Sequence, residues 1–259
     1  MITLLTDFGS QDYFVPAVKG VILSLYPQAN ILDLTHNLAA QDIRAAAFTL
    51  GACYQTFPVG TIHLAVVDPG VGSARRAIVV EAGNHFFVGP DNGLFSFVYA
   101  RETALRVFQA TRAEYFRLPI SPTFHGRDVF APLAAWLAKG IAPADFGAEI
   151  HDYVRFTLPA PQIINDHILG EVIHIDHFGN CITNLTAHEL QLEQVTVATR
   201  LRIATRNVQR FGTHFAQTTN PQELLAYLGS AGYWEIALWQ DSAASKLEVG
   251  SGAAIQLWR

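Results

Sequence analysis

Three carboxylates fall where short apolar runs end. Asp7 closes ITLLT, Asp12 lies in the loop after it, and Asp68 closes TIHLAVV. In open parallel sheets ligands bind beyond the carboxyl ends of strands, so acids there can meet hydroxyls or a cation. Arg75 follows Asp68 by seven positions, and His125 opens the stretch FHGRD. A neutral imidazole at such a place can accept a hydrogen bond from water, while an arginine and an aspartate orient or polarise that water. Each residue also has an ordinary structural use. Asp caps helices and turns, and a histidine at a helix start packs or caps. A third group, Asp176-His177-Phe178-Gly179-Asn180, offers an aromatic face for a base, an amide for its edge and a carboxylate for a cation.

Other chemistries are poorly served. The segment from Asp68 to Arg76 contains GxG, but Arg75 stands where a dinucleotide loop needs its third glycine, and residues 77–80 read as strand rather than helix. No nicotinamide site and no Walker phosphate loop is expected. Ten histidines raise the question of a metal. None forms HExxH, and no cysteine pair supports zinc. His174 and His177 are three apart in a strand-and-turn stretch, where they need not share a face. No resident metal or cofactor is expected. Gly229-Ser230-Ala231-Gly232 only approaches the GxSxG of a serine hydrolase.

The elements that must position these residues follow from periodicity. The first part, 1–157, alternates strands and helices, which predicts an α/β domain with a mostly parallel sheet flanked by helices. Val18, Val21, Ile22 and Leu25 share a helical face that ends before Pro27, and Asp42 caps a helix carrying Ile43, Ala46, Ala47 and Leu50. A further helix after Arg127 carries Val129, Phe130, Leu133 and Leu137 inward, with Gly140 near its end. The second part, 163–259, changes rhythm: TRLRIATR, GEVIHID, YWEIAL and AAIQLW are short and strand-like, predicting a smaller all-β domain. The only helix considered there covers 221–228. Two prolines at Leu158-Pro159-Ala160-Pro161 mark the break.

The chain has 259 residues, half of them hydrophobic and 15% charged, ample for a packed core. A net charge of -5 excludes the basic footprint of a nucleic-acid binder. Cys53 and Cys181 are distant and form no disulfide framework. With no signal-like start and no long apolar run, a cytoplasmic protein without membrane contact is expected.

Seven stretches, in order along nearly the whole chain, make the resemblance to a known family specific. They are TDFG with Asp12, ILDLTH, VVDPGVGSARR, GPDNG, FHGRD, IDHFGNCITN and GSAGYWEIA. Together they resemble the S-adenosylmethionine hydroxide adenosyltransferases, relatives of the S-adenosylmethionine-dependent fluorinase and chlorinase. The resemblance implies hydrolysis of S-adenosylmethionine to adenosine and methionine. It also implies a homotrimer whose sites lie where one subunit's N-terminal domain meets a neighbour's C-terminal domain. By the same resemblance Asp68, Arg75 and His125 are the catalytic triad of the water-using branch. Asp7 would bind the ribose hydroxyls, Asp12 and Asp176 the methionine ammonium, and Ser230 its carboxylate. Phe178 and Phe215 would pack on adenine, and Asn180 would read its edge.

The halogenating relatives carry a tyrosine at the position of Asp68, a serine at that of Gly126, and a long insertion after the strand here read at 77–81. This chain has none of these, since only Ala82-Gly83-Asn84 separates that strand from the next. Ala231, Trp239 and Gln41 also depart from the fluorinase pattern, at positions that grip substrate. Two rival readings remain at this point: a chlorinase-like halogenase, and a non-catalytic protein that binds S-adenosylmethionine or adenosine.

Overall fold

ITLLT is buried along its whole length as β1 (Ile2–Thr6), as expected of a strand covered on both faces. It belongs to the first of two compact units, Met1–Thr157 and Leu158–Arg259, in a computed structural model that describes residues 1–165, 167–208, 210–218, 220 and 222–258. In the first unit follow α1 (Phe14–Leu25), β2 (Ile31–Thr35), α2 (Ile43–Cys53), β3 (Ile62–Val66), β4 (Ala77–Ala82), β5 (His85–Pro90), α3 (Ser96–Arg101), β6 (Leu105–Gln109), α4 (Ala131–Ala138) and β7 (Glu149–Ile150). Val18 and Ile22 of α1 are buried, and the Asp42 side chain accepts a hydrogen bond from Ala45 N, capping α2.

The sheet order is β2-β1-β3-β5-β4-β6-β7. Only the pairs β1–β2, β1–β3 and β3–β5 are parallel; β5–β4, β4–β6 and β6–β7 are antiparallel. The expectation of a mostly parallel sheet is therefore corrected to a mixed one. The cause is local. Gly83 and Asn84 both take positive φ, 57° and 61°, which is the two-residue turn that folds a chain straight back on itself. A parallel crossover would need a dozen or more residues there. Alternate residues of the strands build two cores. Leu4, Leu64 and Val66 meet α1 and α4 residues such as Ile22 and Leu133, while Leu5, Ala65 and Val67 meet Leu50 and Val98 of α2 and α3.

Two histidines lie buried side by side inside this unit. His63 Nδ1 is 2.8 Å from Thr3 Oγ1, and His63 Nε2 is 3.3 Å from His85 Nδ1, with His63 fully buried. Burial, and then the neighbouring His85, lowers the His63 pKa to about 3; burial lowers that of His85 too. The unfolded chain takes up these protons below pH ~6.5, whereas the folded chain resists them. Stability is thus fully present above that pH and is lost as pH falls towards 3. Urea unfolding at pH 7.5, 6 and 5 should show a loss approaching about 1.4 kcal/mol per pH unit from His63, with a further loss in the same direction from His85. His63→Gln should flatten the slope, and equal slopes in the two proteins would refute this origin.

The second unit contains β8 (Gln162–Ile164), β9 (His167–Ile175), β10 (Cys181–Thr186), β11 (Arg200–Ile203), β12 (Arg206–Val208), β13 (Arg210–Gly212), β14 (Leu225–Leu228), β15 (Tyr233–Ala237), α5 (Ala243–Leu247) and β16 (Ala254–Trp258). They form one nine-stranded sheet ordered β12-β11-β16-β9-β10-β15-β14-β13, with β8 on β9. The helix considered at 221–228 is instead strand from Leu225, paired with both β13 and β15; Pro221 lies outside the described residues. The short helix α5 qualifies the all-β expectation. Trp234, Ile236, Ala226 and Cys181 point to the core, so residues one position away face the other side.

Candidate active site

β1 and β3 are parallel neighbours, so Asp7 and Asp68 leave the sheet at the same edge. The loop from Asp68 to Arg75 turns back on itself: Val71 N donates to Asp68 O at 3.2 Å and Ser73 N to Gly70 O at 3.1 Å. Gly72 takes φ of +78°, and a Cβ there would lie 2.3 Å from Pro122 O, so no other residue fits without movement. This return brings Arg75 onto Asp68. Nε donates to the two carboxylate oxygens at 2.9 and 3.0 Å, and the terminal amino group donates to Oδ2. The side chains are only 10% and 5% exposed, and the guanidinium lies 5.0 Å over the Phe130 ring.

The same guanidinium amino group is 2.9 Å from His125 Nδ1. A guanidinium has donors and no acceptor, so Nδ1 must offer its lone pair. The proton of neutral His125 is therefore on Nε2, which makes that edge a donor. The imidazole presents N–H to an incoming oxygen rather than the acceptor expected from sequence. Burial, and then the adjacent Arg75 charge, lowers the His125 pKa and keeps the ring neutral.

FHGRD positions His125 through one widened helical turn, Gly126–Phe130, whose Ala131 N–H reaches back to Gly126 O before α4 begins. Such i→i+5 turns are frequent at functional sites. The turn packs on the Asp7 segment. Phe8 and Phe124 rings meet edge-on with centroids 6.1 Å apart, and a Cβ on Gly126 would sit 3.2 Å from Phe8 Cζ. Asp128, fully buried, takes Arg127 Nε at 2.7 Å, Arg117 at 2.9 Å and Ser121 N at 2.9 Å. Sequence reading passed over Asp128. The signal available was an acid among apolar helix positions, which needs a cationic partner when buried.

Asp7 Oδ2 accepts from Gln41 N at 2.8 Å, and Gln41 itself takes φ of 68°. His36, from ILDLTH, braces this corner: its Nδ1 is 2.8 Å from Thr6 Oγ1, and its carbonyl accepts from Gly9 N at 2.8 Å. Asp12 is exposed in the bend before α1. The first unit thus joins Asp68 and His125 through Arg75, and packs Phe8, next to Asp7, against Phe124, next to His125.

In the second unit, Asp176 Oδ1 accepts from Phe178 N at 2.9 Å and Asn180 N at 2.8 Å, and Oδ2 from Asn180 Nδ2 at 2.8 Å. Phe178 is 74% exposed, an aromatic face without cover within its unit. Phe215 packs edge-on against Tyr227 at 4.8 Å, and Ser230 is exposed in the turn between β14 and β15. Glu235 was also passed over. It pairs across the ladders with Ile182 and Tyr227, on the face opposite Trp234 and Ile236, and Tyr227 OH donates to it at 2.5 Å. Burial, and then the Asp176 charge, raises its pKa. The alternation in YWEIAL carried that signal, since a glutamate between two core residues of a strand faces the other side.

Among the described residues, no three histidine, cysteine or acidic side chains converge as metal ligands, and no helix is long and apolar enough to cross a membrane.

Known proteins resemble this chain end to end. The SAM hydroxide adenosyltransferase N-terminal domain matches residues 2–147, and the corresponding C-terminal domain matches residues 170–256. An (R)-S-adenosyl-L-methionine hydrolase from Salinispora tropica is 37% identical, the alignment covering 99% of this chain and 97% of the relative. One from Thermus thermophilus is 37% identical, covering 99% and 98%. A fluorinase from Nocardia brasiliensis is 27% identical, covering 99% and 96%. A crystal structure of a conserved protein from Thermotoga maritima superposes with a TM-score of 0.93 at 34% identity, covering all of both chains.

Proposed function

The chain belongs to the SAM hydroxide adenosyltransferase family, and from that premise we propose that it hydrolyses S-adenosyl-L-methionine to adenosine and L-methionine. The observation that carries the mechanism is the single guanidinium of Arg75 engaging both Asp68 and His125 Nδ1. Water bound against these groups attacks ribose C5′ in line with the C5′–S bond. A C–O bond forms, the C5′–S pair returns to sulfur, and the sulfonium leaves as the neutral thioether of methionine. No acid is needed for that departure, and no cofactor. In-line placement contributes up to about 7–11 kcal/mol in favourable cases. His125 Nε2–H donates to the attacking oxygen, and Arg75 stabilises its developing negative charge. With both His125 nitrogens committed, the water's proton goes to Asp68, whose oxygens keep lone pairs beyond those used by Arg75.

Asp7 suits the ribose diol, Asp12 and Asp176 the methionine ammonium, Ser230 its carboxylate, Phe178 and Phe215 the adenine faces, and Asn180 the adenine edge. The chain is further proposed to act in the cytoplasm as a homotrimer. Light scattering on the purified protein should return about three chain masses, and a monomer would remove that part. A halogenase is disfavoured at Gly126, where a side chain would press on Phe8.

The test is product analysis in 18O-labelled water. Adenosine carrying the label together with unlabelled methionine is expected. Label in methionine would exclude attack at C5′, and absence of adenosine would exclude the hydrolase.

A further inference from the structure

The loop carrying Asp68 and Arg75 joins β3 to β4, but these strands are not neighbours. β5 lies between them, so the loop must bridge the end of β5. The residues at that end are Asp91 and Asn92 of the GPDNG stretch, to which the chemistry above gives no role. Asn92 Nδ2 donates to Val67 O at 2.8 Å, on the residue directly before Asp68. Asp91 N donates to Arg76 O at 3.0 Å, and Arg76 Nε donates to Asp91 Oδ2 at 2.7 Å, on the residue directly after Arg75. One dipeptide therefore holds both feet of the bridge.

The holder is itself fixed. The Asp91 side chain is 1% exposed, and its other oxygen accepts from Val154 N at 2.7 Å. Asn92 Oδ1 accepts from Leu94 N at 3.2 Å. Arg76 completes its bonding on Asp152, with the side-chain oxygen at 2.6 Å and the carbonyl at 2.8 Å. The two adjacent arginines are thereby separated, Arg75 towards Asp68 and Arg76 away from it.

We infer that Asp91 and Asn92 are positioning residues for the hydrolysis, setting the distance between the two feet of the loop so that Arg75 spans Asp68 and His125 together. The inference rests on the hydrolase reading for its kinetic consequence and on geometry alone for its effect on His125. A peptide carbonyl and a carboxylate at fixed heights determine where the loop's polar groups point. Displacements of about 1 Å in such groups can cost about 10²-fold in rate.

Asn92→Asp is the sharpest variant. It is isosteric, keeps the acceptor for Leu94 N, and replaces the donor to Val67 O by an oxygen that repels it. Asp91→Asn is the second variant, to be read in the same way should the first fail to fold. Two measurements are made on folded protein. The first is steady-state kinetics with S-adenosylmethionine: kcat should fall at least about tenfold with KM changed less than about threefold. The second is NMR titration of the His125 ring, assigned by the spectrum of His125→Asn. The groups facing that ring are Arg75, Asp68 and Asp128. As Arg75 draws back, the His125 pKa should rise by half a unit or more. A folded variant with wild-type kcat and an unchanged His125 titration overturns the inference. If the wild-type protein releases no adenosine, the hydrolase reading fails, and the His125 titration still decides the positioning role.

Discussion

Replacing Arg75 with methionine is expected to lower kcat at least about 10³-fold while leaving affinity for S-adenosylmethionine within a few-fold. The guanidinium is the one group that touches both other members of the triad, so its loss has three effects at once. The positive charge proposed to face the developing hydroxide disappears. His125 Nδ1 loses its donor, so the tautomer is no longer fixed and Nε2 need not carry the proton. Asp68, only 5% exposed, becomes an unpaired carboxylate. Breaking a buried pair from one side typically costs about 3–5 kcal/mol, so the variant will also be less stable. The double variant Arg75→Met with Asp68→Asn separates the two consequences: it should recover stability and recover no activity. Single-turnover kinetics beside equilibrium binding decide the matter. Turnover within tenfold of wild type would remove Arg75 from the chemistry.

Asp128→Ala should be strongly destabilising without removing any group of the Asp68–Arg75–His125 cluster. Its carboxylate is wholly buried and collects Arg127, Arg117 and the Ser121 N–H. Arg117 and Arg127 are 49% and 28% exposed and can turn to water, so the loss is nearer the lower end, about 3 kcal/mol. For a chain of this length that corresponds to a fall in Tm of roughly 6–12 °C. The acid dependence adds a second signature. Burial by itself would raise the Asp128 pKa; the Arg127 pair, the Ser121 N–H and Arg117 outweigh it and hold it low. Its stabilisation is present above the unfolded pKa of about 3.9 and is lost as pH falls through the lower folded value. Calorimetry between pH 7 and 3 should find that limb in the wild type and find it absent in Asp128→Ala. Equal Tm values at pH 7 would refute the assignment.

What the sequence made legible was what depends on short-range pattern. Strand ends at Asp7 and Asp68, the cap at Asp42 and the inward face of α1 all follow from local periodicity. Sheet direction was misjudged because alternation of strands and helices dominated the reading. The decisive element was two residues, Gly83 and Asn84, whose positive φ reverses the chain. The strand at 225–228 was missed for a related reason: its partners β13 and β15 are contributed by other parts of the chain, and pairing overrides local preference. Within the site, residue types were legible and protonation was not. His125 as donor follows only from the guanidinium on its Nδ1, a contact made across 50 residues of chain. Asp128 and Glu235 escaped because a buried acid announces itself by its partners, which only the fold assembles.

The bridge over β5 and the tight turn at Gly83–Asn84 sit at opposite ends of β4, six residues and about 20 Å apart. This divides one hairpin into an end that cannot change length and an end that can. A residue added between Asp68 and Arg75 would lift the loop off its two fixed feet. A peptide grafted at the turn would leave the strand and both feet in register. The architecture thus offers a graft point for an affinity tag or fluorescent reporter at the far end of the strand that follows Arg75, away from the proposed catalytic residues.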